Sequence, residues 1–565
     1  MKMNDNDWKG TFIWGCMLLL SAMLVSLPVL LPGTLLVGDD ILFHLDRIEG
    51  IKNALLAGEF PVRVNAIWFQ GYGMPSGIFY PNFFWYFPAL LCAAGVSLIT
   101  SWKIFVVVVN LVTAGVGWWA FSVALRSRRT GAIAALFYLV FLYRMMDLYA
   151  RSAGGEMLAM AFLPGALFSV WFTLHRSSSY WPAVVFFTSC VLESHIITSL
   201  LLLLADFVMI AISFRRFVQM DIRWAAGKVV LFTVLLNLWF YAPLLYFHHF
   251  MDYGMKHMTH ESIVDAIRPL SSMDFYMGSA MLLVLVGILL HCVVQWVRGH
   301  GRPLGALFWC ALIVSFSLIW LTTWPMLWER LGEVAGVLQF PFRLGIFPAV
   351  LLPLVFAMGL KENQCRSIFL IWLFCLCGNL YWTAGNTYTS LLRDFKSPED
   401  HIMAASMQQH PLFMMKVSAE YLQTIDPAHV IYYDYADWQI AEMFSGEAMR
   451  AKIADQSLHP DDRVEDVVRK GNRFFITYRD GIQENVQLPL FWYMGYTAEK
   501  KEGERVPVWR DEQGQVSTLL PSGAGTLCVR YTGLPWFALT DGLSLLGCFG
   551  FLCCAYRASR REVWG

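Results

Sequence analysis

Long apolar runs, separated by short charged segments, recur along nearly the whole length of the 565-residue chain. An α-helix needs about 20 apolar residues to cross the hydrocarbon layer of a bilayer, and most of the runs approach that length. The pattern therefore predicts an all-α polytopic membrane protein with about 12 transmembrane helices. We expect spans at residues 11–32, 103–125, 130–145, 155–174, 181–193, 196–213, 225–246, 277–297, 305–322, 343–360, 366–384 and 536–556.

Residues 386–535 break this pattern, because they are polar enough to form a water-soluble domain of ordinary size. We expect helices at 404–423 and 438–449, followed by short alternating strands that form a small β-sandwich. The predicted strands are 473–478, 486–496, 506–509, 516–520 and 527–531. The predicted organisation is thus a transmembrane domain at 1–385 with an outer amphipathic loop at 33–80, an α+β domain at 386–535, and a final helix with a basic tail at 536–565.

The composition fits this interpretation, since 57% of the residues are hydrophobic, compared with roughly 45–50% in soluble domains. Lysine plus arginine and aspartate plus glutamate number 42 each, so no net charge favours nucleic acid as a partner. Most of the 12 cysteines lie within or beside apolar runs and are interpreted as small apolar residues. Cys528 is alone in the polar segment, which predicts that this segment has no internal disulfide.

Lysine and arginine concentrate in loops that remain on the cytoplasmic side of a bacterial inner membrane. If Met1 is inside and residues 81–99 form an interfacial hairpin, every basic cluster falls on that side. We therefore predict that both termini are cytoplasmic, that the first apolar run is a retained helix, and that the polar domain is extracytoplasmic. The basic positions are Arg126, Arg128, Arg129, Arg176, Arg215, Arg216, Arg298, Arg302, Lys361, Arg366, Arg557, Arg560 and Arg561.

The first outer loop begins with Gly38-Asp39-Asp40 and continues as a helical pattern that places Asp40, His44 and Arg47 on one face. In one interpretation Asp39 caps the helix and Asp40 interacts with its dipole. In the other, Asp40 or Asp39 is a general base at the membrane interface, and His44 orients it or contacts an anionic substrate. The aspartate pair is weak evidence for a divalent cation site.

A second charged segment contains Arg144, Asp147, Arg151 and Glu156 within 13 residues of a predicted outer turn. These residues can form a structural set of ion pairs, Arg144 with Asp147 and Arg151 with Glu156. Alternatively, the arginines bind a phosphate or pyrophosphate group, while the carboxylates orient them or bind a sugar hydroxyl.

Four more residues in predicted outer segments are candidates for substrate binding. His195 lies between two short apolar runs, where a satisfied interfacial histidine is the alternative. Gln339 lies just before the tenth span, and Arg343 is its first residue. A cation at the membrane boundary is better explained by a phosphate partner than by no partner. Tyr80 follows a glycine-rich turn suited to a sugar or isoprenoid surface, although a simple loop explains it equally well.

Several of these residues belong to motifs that occur in order along residues 10–385. The motifs are Asp40 with Phe43-His44-Leu45, Gly71-Tyr72-Gly73 with Tyr80-Pro81, Asp147-x-Tyr149-x-Arg151 with Glu156, and Gln339-Phe340-Pro341-Phe342-Arg343. In these motifs the chain resembles the GT-C superfamily of integral-membrane glycosyltransferases. It is most similar to bacterial membrane proteins with a 6-pyruvoyl-tetrahydropterin-synthase-related membrane domain.

The resemblance implies a GT-C-like fold and transfer of a sugar from a polyprenyl-phosphate donor at the extracytoplasmic face. The acceptor would be a cell-surface glycan, lipid or polymer, bound with help from the outer domain, and membrane lipids would surround the spans. Asp40 would deprotonate the acceptor hydroxyl, and Arg144, Arg151 or Arg343 would stabilise the departing phosphate. No nucleotide cofactor is implied, whereas a divalent cation stays an open alternative.

Two other classes of function compete with this hypothesis. A transporter or flippase of a lipid-linked saccharide precursor would carry polar residues deep within its spans, where Asn110, Asp206 and Asn237 are found. A non-catalytic membrane scaffold would place no functional demand on Asp40.

Overall fold

The computed structural model divides the chain into two compact units. The bundle unit contains residues 1–41, 103–233 and 257–419, and the sheet unit contains residues 42–102, 234–256 and 420–565. The residues that the structure describes are 8–30, 34–36, 38–67, 72–250, 274–298, 305–360, 365–394, 414–416, 463–511 and 514–563.

Helices dominate the described residues, as the apolar pattern predicts. The longer helices are α1 (Trp8–Leu30), α2 (Ile41–Leu56), α3 (Tyr86–Ala93), α4 (Leu98–Leu125), α5 (Arg128–Leu139), α6 (Gly154–His175), α7 (Trp181–Leu192), α8 (Ile196–Ile212), α9 (Met220–Phe250), α10 (Ser279–Val297), α11 (Ala306–Thr322), α12 (Ile346–Gly359), α13 (Cys365–Asp394) and α14 (Phe537–Val563). Short helical turns are Ser76–Phe79, Phe83–Trp85, Leu142–Met145, Met146–Ala150, Ser178–Tyr180, Phe214–Phe217, Asp274–Met277, Pro325–Leu331, Glu333–Leu338 and Pro341–Gly345.

Eight helical segments within the described ranges are long and apolar enough to cross a membrane. Two bent pairs, one of them Arg128–Leu139 with Leu142–Ala150, raise the number to ten if each pair is one span. The two other predicted spans correspond to α7 and α8, which are shorter apolar helices. The mostly helical character, with several helices long and apolar enough to cross a membrane, is therefore confirmed, while the membrane topology and the number of twelve spans stay predictions.

The first bent pair turns by 49° between α5 and the following turn, and side chains from elsewhere in the bundle unit satisfy the carbonyls there. Trp372 donates from its indole to Leu136 O at 2.9 Å, and Asn379 donates to Val140 O at 2.7 Å. Arg144 donates to Leu139 O at 3.0 Å. Because a side chain that replaces a ladder bond permits a kink, these contacts stabilise the bend that leads into residues 146–151.

Basic residues gather at one end of the bundle unit. The Arg176 guanidinium, after α6, donates to the carbonyls of Val123 and Ala124, near the end of α4. The His175 ring lies 3.2 Å from the hydroxyl of Ser213, just after α8. The carboxyl ends of α4, α6 and α8 therefore meet, and they bring Arg126, Arg128, Arg176 and Arg215 to the same end of the bundle.

Strands form the sheet unit and one small pairing in the bundle unit. They are β1 (Thr34–Leu36), β2 (Met414–Lys416), β3 (Val464–Lys470), β4 (Arg473–Tyr478), β5 (Glu484–Phe491), β6 (Tyr496–Lys500), β7 (Arg505–Val506), β8 (Val508–Arg510), β9 (Gln515–Leu520) and β10 (Gly525–Tyr531). The antiparallel sheets have the orders β1-β2, β3-β4-β10-β6-β7 and β5-β9-β8. The two larger sheets share one hydrophobic core, which includes Ile476, Leu527, Leu488 and Val516.

The strand pattern predicted this sheet region with two kinds of error. The single strand predicted at 486–496 is wrong, because the segment contains the end of β5 at Phe491 and the start of β6 at Tyr496. Between them Gly495 has a φ of +117°, and a Cβ there would lie 2.7 Å from Gly533 Cα. The charged strand β3 was missed, since its polar alternation is that of a partly exposed edge strand. The predicted helices 404–423 and 438–449 lie outside the described residues, except for Met414–Lys416, where pairing with Thr34–Leu36 makes a strand instead of a helix.

Described residues of the predicted outer loop 33–80 pack into the core of the sheet unit. Phe43, Met74 and Ile78 are buried in the same cluster as the strands. The backbone N–H of Phe491 donates to Tyr72 O at 3.0 Å, and the Asn472 amide donates to Glu59 at 2.9 Å and to Val64 O at 2.7 Å. These bonds join the loop to the strands of the domain.

Replacing Asn472 with alanine should lower the stability of the sheet unit by about 1–3 kcal/mol, because the buried Val64 carbonyl and the Glu59 carboxylate each lose a donor. Thermal melting of the detergent-purified protein and hydrogen exchange of residues 463–479 measure this loss. Gln487→Ala is the matched control, since the Gln487 amide bonds Asp511 at an exposed position. An equal effect of the two substitutions would contradict the assignment of Asn472 as the buried joint.

Candidate functional site

Charged side chains from four segments of the bundle unit meet at the end opposite the basic residues. Glu156 is in the first turn of α6, and His195 is the residue immediately before α8. Asp147 lies in the π-helical turn Met146–Ala150, and Arg151 follows that turn. Arg343 lies in the 3₁₀ turn that precedes α12. We call Asp147, Arg151, Glu156 and Arg343 the arginine–carboxylate cluster.

Glu156 is the centre of this cluster. Its carboxylate accepts a hydrogen bond from the Tyr143 hydroxyl at 2.6 Å, and it is 2% exposed. The second carboxylate oxygen lies 3.1 Å from Arg151 Nη1 and 3.3 Å from Arg343 Nη1. A buried carboxylate needs partners of this kind, because charge taken out of water is costly. Glu156 therefore binds both arginines at once.

Arg151 is shared between two carboxylates, since its Nη1 also donates to Asp147. Burial on its own would lower the pKa of Arg151, but the charges of Asp147 and Glu156 outweigh it and raise that pKa well above the usual value. In the part of the chain that the structure describes, Nε and Nη2 of Arg151 have no protein acceptor. The guanidinium is 13% exposed, so it is the most accessible charge of the cluster.

Arg343 is the second shared cation. Its Nη2 donates to the amide oxygen of Gln339 at 2.7 Å, and its Nη1 donates to His195 Nε2 at 3.2 Å. Because a guanidinium can only donate, Nε2 carries the lone pair and Nδ1 carries the hydrogen, which it donates to the Thr198 hydroxyl at 2.8 Å. In this tautomer the Thr198 backbone N–H, 3.3 Å from Nδ1, is not bonded to the ring. Burial, together with the positive charge of Arg343, lowers the pKa of His195 to about 3. His195 is accordingly neutral at physiological pH.

Two phenylalanines form an aromatic wall beside the arginines. The rings of Phe340 and Phe342 are stacked, with centroids 4.9 Å apart. The guanidinium carbon of Arg343 lies 5.7 Å from the Phe340 ring, and that of Arg151 lies 5.4 Å from the Phe342 ring. These contacts are attractive for a cation and help to fix the planes of both guanidinium groups.

The segment Gly38-Asp39-Asp40 lies against the chain that carries Arg151. Asp39 N–H donates to Ala150 O at 3.2 Å, and Asp40 N–H donates to Arg151 O at 2.8 Å. The approach is close, because a Cβ on Gly38 would lie 2.4 Å from Ser152 Oγ and 2.8 Å from Ala150 O. The structure thus places Asp40 beside Arg151, and the charge of Asp40 contributes to the raised pKa of Arg151.

Arg144 lies apart from the cluster. It is fully buried, and its guanidinium donates to Leu139 O, to Asn110 and to the Thr113 hydroxyl. The interpretation as an ion pair with Asp147 finds no support, since Asp147 pairs with Arg151. The other proposed pair, Arg151 with Glu156, is present at 3.1 Å.

The remaining candidates belong to the sheet unit. His44 is buried, with its ring parallel to Trp85 at 4.4 Å and to Trp102 at 6.0 Å. Arg47 is also buried and donates to Asn82 at 2.8 Å and to Pro81 O, with its guanidinium 5.9 Å from the Tyr80 ring. These side chains therefore hold the segment 80–85 in place.

Sequence reasoning missed Tyr143, Phe340 and Ser152 as parts of the site. Phe340 stood within a motif around Gln339 and Arg343, but nothing in the pattern assigned it to an arginine. Ser152 has a φ of +49°, an uncommon conformation that no sequence feature announces. Tyr143 lies 13 residues from Glu156, so only the bend between α5 and residues 142–151 brings the two together.

The described ranges contain no group of three or more His, Cys, Asp or Glu side chains that could hold a metal ion. Comparison with models of protein families and with curated proteins gives no match for this chain. The chemistry of the site is therefore argued from its own residues.

Gly38→Ala should destabilise the protein by about 1–3 kcal/mol, because the new methyl group overlaps Ser152 and the Ala150 carbonyl. Adding Ser152→Gly should restore part of the loss, since it removes the nearest atom and suits the positive φ at that position. The melting temperature measures both effects. Gly115→Ala is the control, as a Cβ there meets no atom within 4 Å. A Gly38→Ala variant as stable as the control would contradict the close approach.

Acid should weaken the site through His195. The unfolded histidine binds a proton below about pH 6.5, whereas the folded one does so only near 3, so stability falls as pH drops through this interval. Between pH 7.5 and 5.0 the wild type should lose about 2 kcal/mol that His195→Gln does not lose. Glutamine is suitable because its amide oxygen can accept from Arg343. Parallel melts at the two pH values measure the difference, and equal pH dependence would refute it.

Proposed function

We propose that the protein is a membrane glycosyltransferase that transfers a sugar from a polyprenyl-phosphate donor to a glycan, lipid or polymer acceptor. The observation that carries the proposal is the placement of Asp40 beside Arg151, at the end of the bundle opposite the basic residues. A carboxylate and an accessible guanidinium are the two groups that such a transfer needs. The GT-C-like motifs around them support the same assignment.

Charge sorting supports a location of the site at the extracytoplasmic face of a bacterial inner membrane. The ends of α4, α6 and α8 carry arginines, and basic ends face the cytoplasm in inner-membrane proteins. The arginine–carboxylate cluster lies at the other ends of α6 and α8, so it faces outward. In the predicted topology, the same sorting of basic residues favours cytoplasmic placement of both chain termini.

The proposed reaction is a single inverting displacement. Asp40 takes the proton of the acceptor hydroxyl, and the resulting oxygen attacks the anomeric carbon of the donor. The bond from that carbon to the phosphate oxygen breaks, and the polyprenyl phosphate leaves with the electron pair. Arg151 stabilises the leaving phosphate with Nε and Nη2. The proton on Asp40 then passes to water.

The transporter alternative draws less support. Asn110, a polar residue deep in α4, donates to Ser26 at 2.8 Å and accepts from Arg144. Asn379 bonds the carbonyl exposed at the bend after α5. These side chains stabilise helix contacts, and their hydrogen bonds are made within the protein.

Asp40→Asn should lower sugar transfer by about 10²–10⁴-fold, because an amide cannot accept the acceptor proton. Membranes containing each variant are incubated with undecaprenyl-phosphate sugars that carry a radiolabelled glucose, galactose, mannose or N-acetylglucosamine, and label transferred to glycolipid or polymer is counted. Arg151→Lys should lower transfer about 10–100-fold, since it keeps the charge but loses the fork of donors.

Asp39→Asn is the matched comparison, because Asp39 is exposed and lies one residue from the proposed base. It should retain most of the transfer. If Asp39→Asn abolished transfer and Asp40→Asn did not, the assignment of the base would be wrong. If transfer was unchanged in both variants and in Arg151→Lys, the proposed function would be refuted.

A further inference from the structure

The electrical balance of the arginine–carboxylate cluster differs from that of a phosphate site. Arg151 and Arg343 carry two positive charges, and the two carboxylates that touch them, Asp147 and Glu156, carry two negative charges. The cluster as a whole therefore offers no net positive charge. Only its outer member, Arg151, keeps accessible donors, and the interior of the cluster suits an uncharged polar group.

Two polar atoms of this cluster are inaccessible to water and have no hydrogen-bond partner among the described residues. One is Asp147 Oδ2, an acceptor on a residue that is 0% exposed, and the other is Arg343 Nε, a donor on a residue that is 5% exposed. Leaving a buried polar atom unpaired is unfavourable, and more so for a charged group. Such atoms in a native structure call for an explanation, and a bound ligand is one of those available.

The remaining bonds of the same side chains fix the direction of both groups. The other Asp147 oxygen is bound to Arg151, and both terminal nitrogens of Arg343 are bound, to Gln339 and to His195. Neither side chain can therefore rotate to pair its last atom without giving up a charge-assisted bond. The unpaired acceptor and the unpaired donor are thus already oriented before a ligand binds.

An acceptor with a donor nearby matches the chemistry of sugar hydroxyls, each of which donates one hydrogen and accepts another. A phosphate has only acceptor oxygens near neutral pH and is repelled by the Asp147 carboxylate. We propose that the cluster binds the sugar ring of the donor, with Asp147 accepting from a hydroxyl and Arg343 Nε donating to one, while the phosphate stays at Arg151. The inference deepens the proposed function and rests on it.

The test compares two ligands on the purified full-length protein in nanodiscs. One is undecaprenyl phosphate, and the other is the undecaprenyl-phosphate sugar that the wild type binds best among glucose, galactose, mannose and N-acetylglucosamine. Asp147→Asn should weaken binding of the sugar-bearing lipid by about 10–100-fold, because a donor replaces a charged acceptor. Binding of undecaprenyl phosphate should stay equal or become tighter, since one negative charge is gone.

A cycle with monodeoxy sugars locates the contact. On the wild type, one deoxy donor should bind about 10-fold or more weakly than its parent sugar. On Asp147→Asn, the same deoxy donor and its parent should bind with equal affinity. Arg343→Lys, which lacks the Nε donor but keeps the charge, provides the same comparison if Asp147→Asn fails to fold. Asp206→Asn is the control for replacing a carboxylate by an amide in the bundle unit, and both ligands should bind it within about two-fold of the wild type.

The outcomes separate the two proposals. A wild type that binds neither lipid contradicts the proposed function itself. A wild type that binds undecaprenyl phosphate and gains nothing from any sugar overturns the sugar subsite alone. Equal weakening of the binding of both lipids by Asp147→Asn also overturns it. So does a cycle in which the loss from the substitution and the loss from removing a hydroxyl add up for every deoxy sugar, since the unpaired atoms would then be satisfied by water only.

Discussion

The pairing of buried charge governs the bundle end that carries the candidate site. Glu156 and Asp147 are almost inaccessible to water, and each is bound to Arg151, while Arg343 completes the set. Removing any one member would leave an uncompensated charge in a medium that solvates it poorly. The cluster consequently fixes where α6, the turn before α12 and the chain after the π turn lie, and it orients the groups that face outward.

A second constraint is the break after α5. An unbroken helix through residues 128–150 would carry residues 142–151 in a different direction, and Tyr143 would lose its contact with Glu156. Trp372 and Asn379 compensate the break, because they donate hydrogen bonds to carbonyls at the bend. The same indole and amide groups that stabilise the bend thereby determine the geometry of the charged cluster, some residues away along the chain.

The apolar runs predicted the helices because a helix makes its backbone hydrogen bonds within its own segment, so its formation depends little on tertiary detail. The candidate site was only partly predictable for the opposite reason. Arg151 and Glu156 lie close in sequence and attracted notice as charges, whereas Tyr143 depends on a bend that no motif marks. Arg144 shows the reverse error, since it stands beside Asp147 in sequence and bonds Asn110 and Thr113 instead. His44 and Arg47, which the helical pattern placed on one face with Asp40, both lie against the Trp85 ring, and no motif in the sequence marks that contact.

The sheet unit joins parts of the chain that are synthesised far apart in time. The hydroxyl of Tyr493 donates to Gly73 O across 420 residues. The ribosome must therefore complete most of the helices before the last strands can close over Phe43 and Ile78. Until then these apolar side chains lack their native cover, and a truncated chain would expose them permanently. Exposed apolar side chains of this kind make an incomplete chain prone to aggregation.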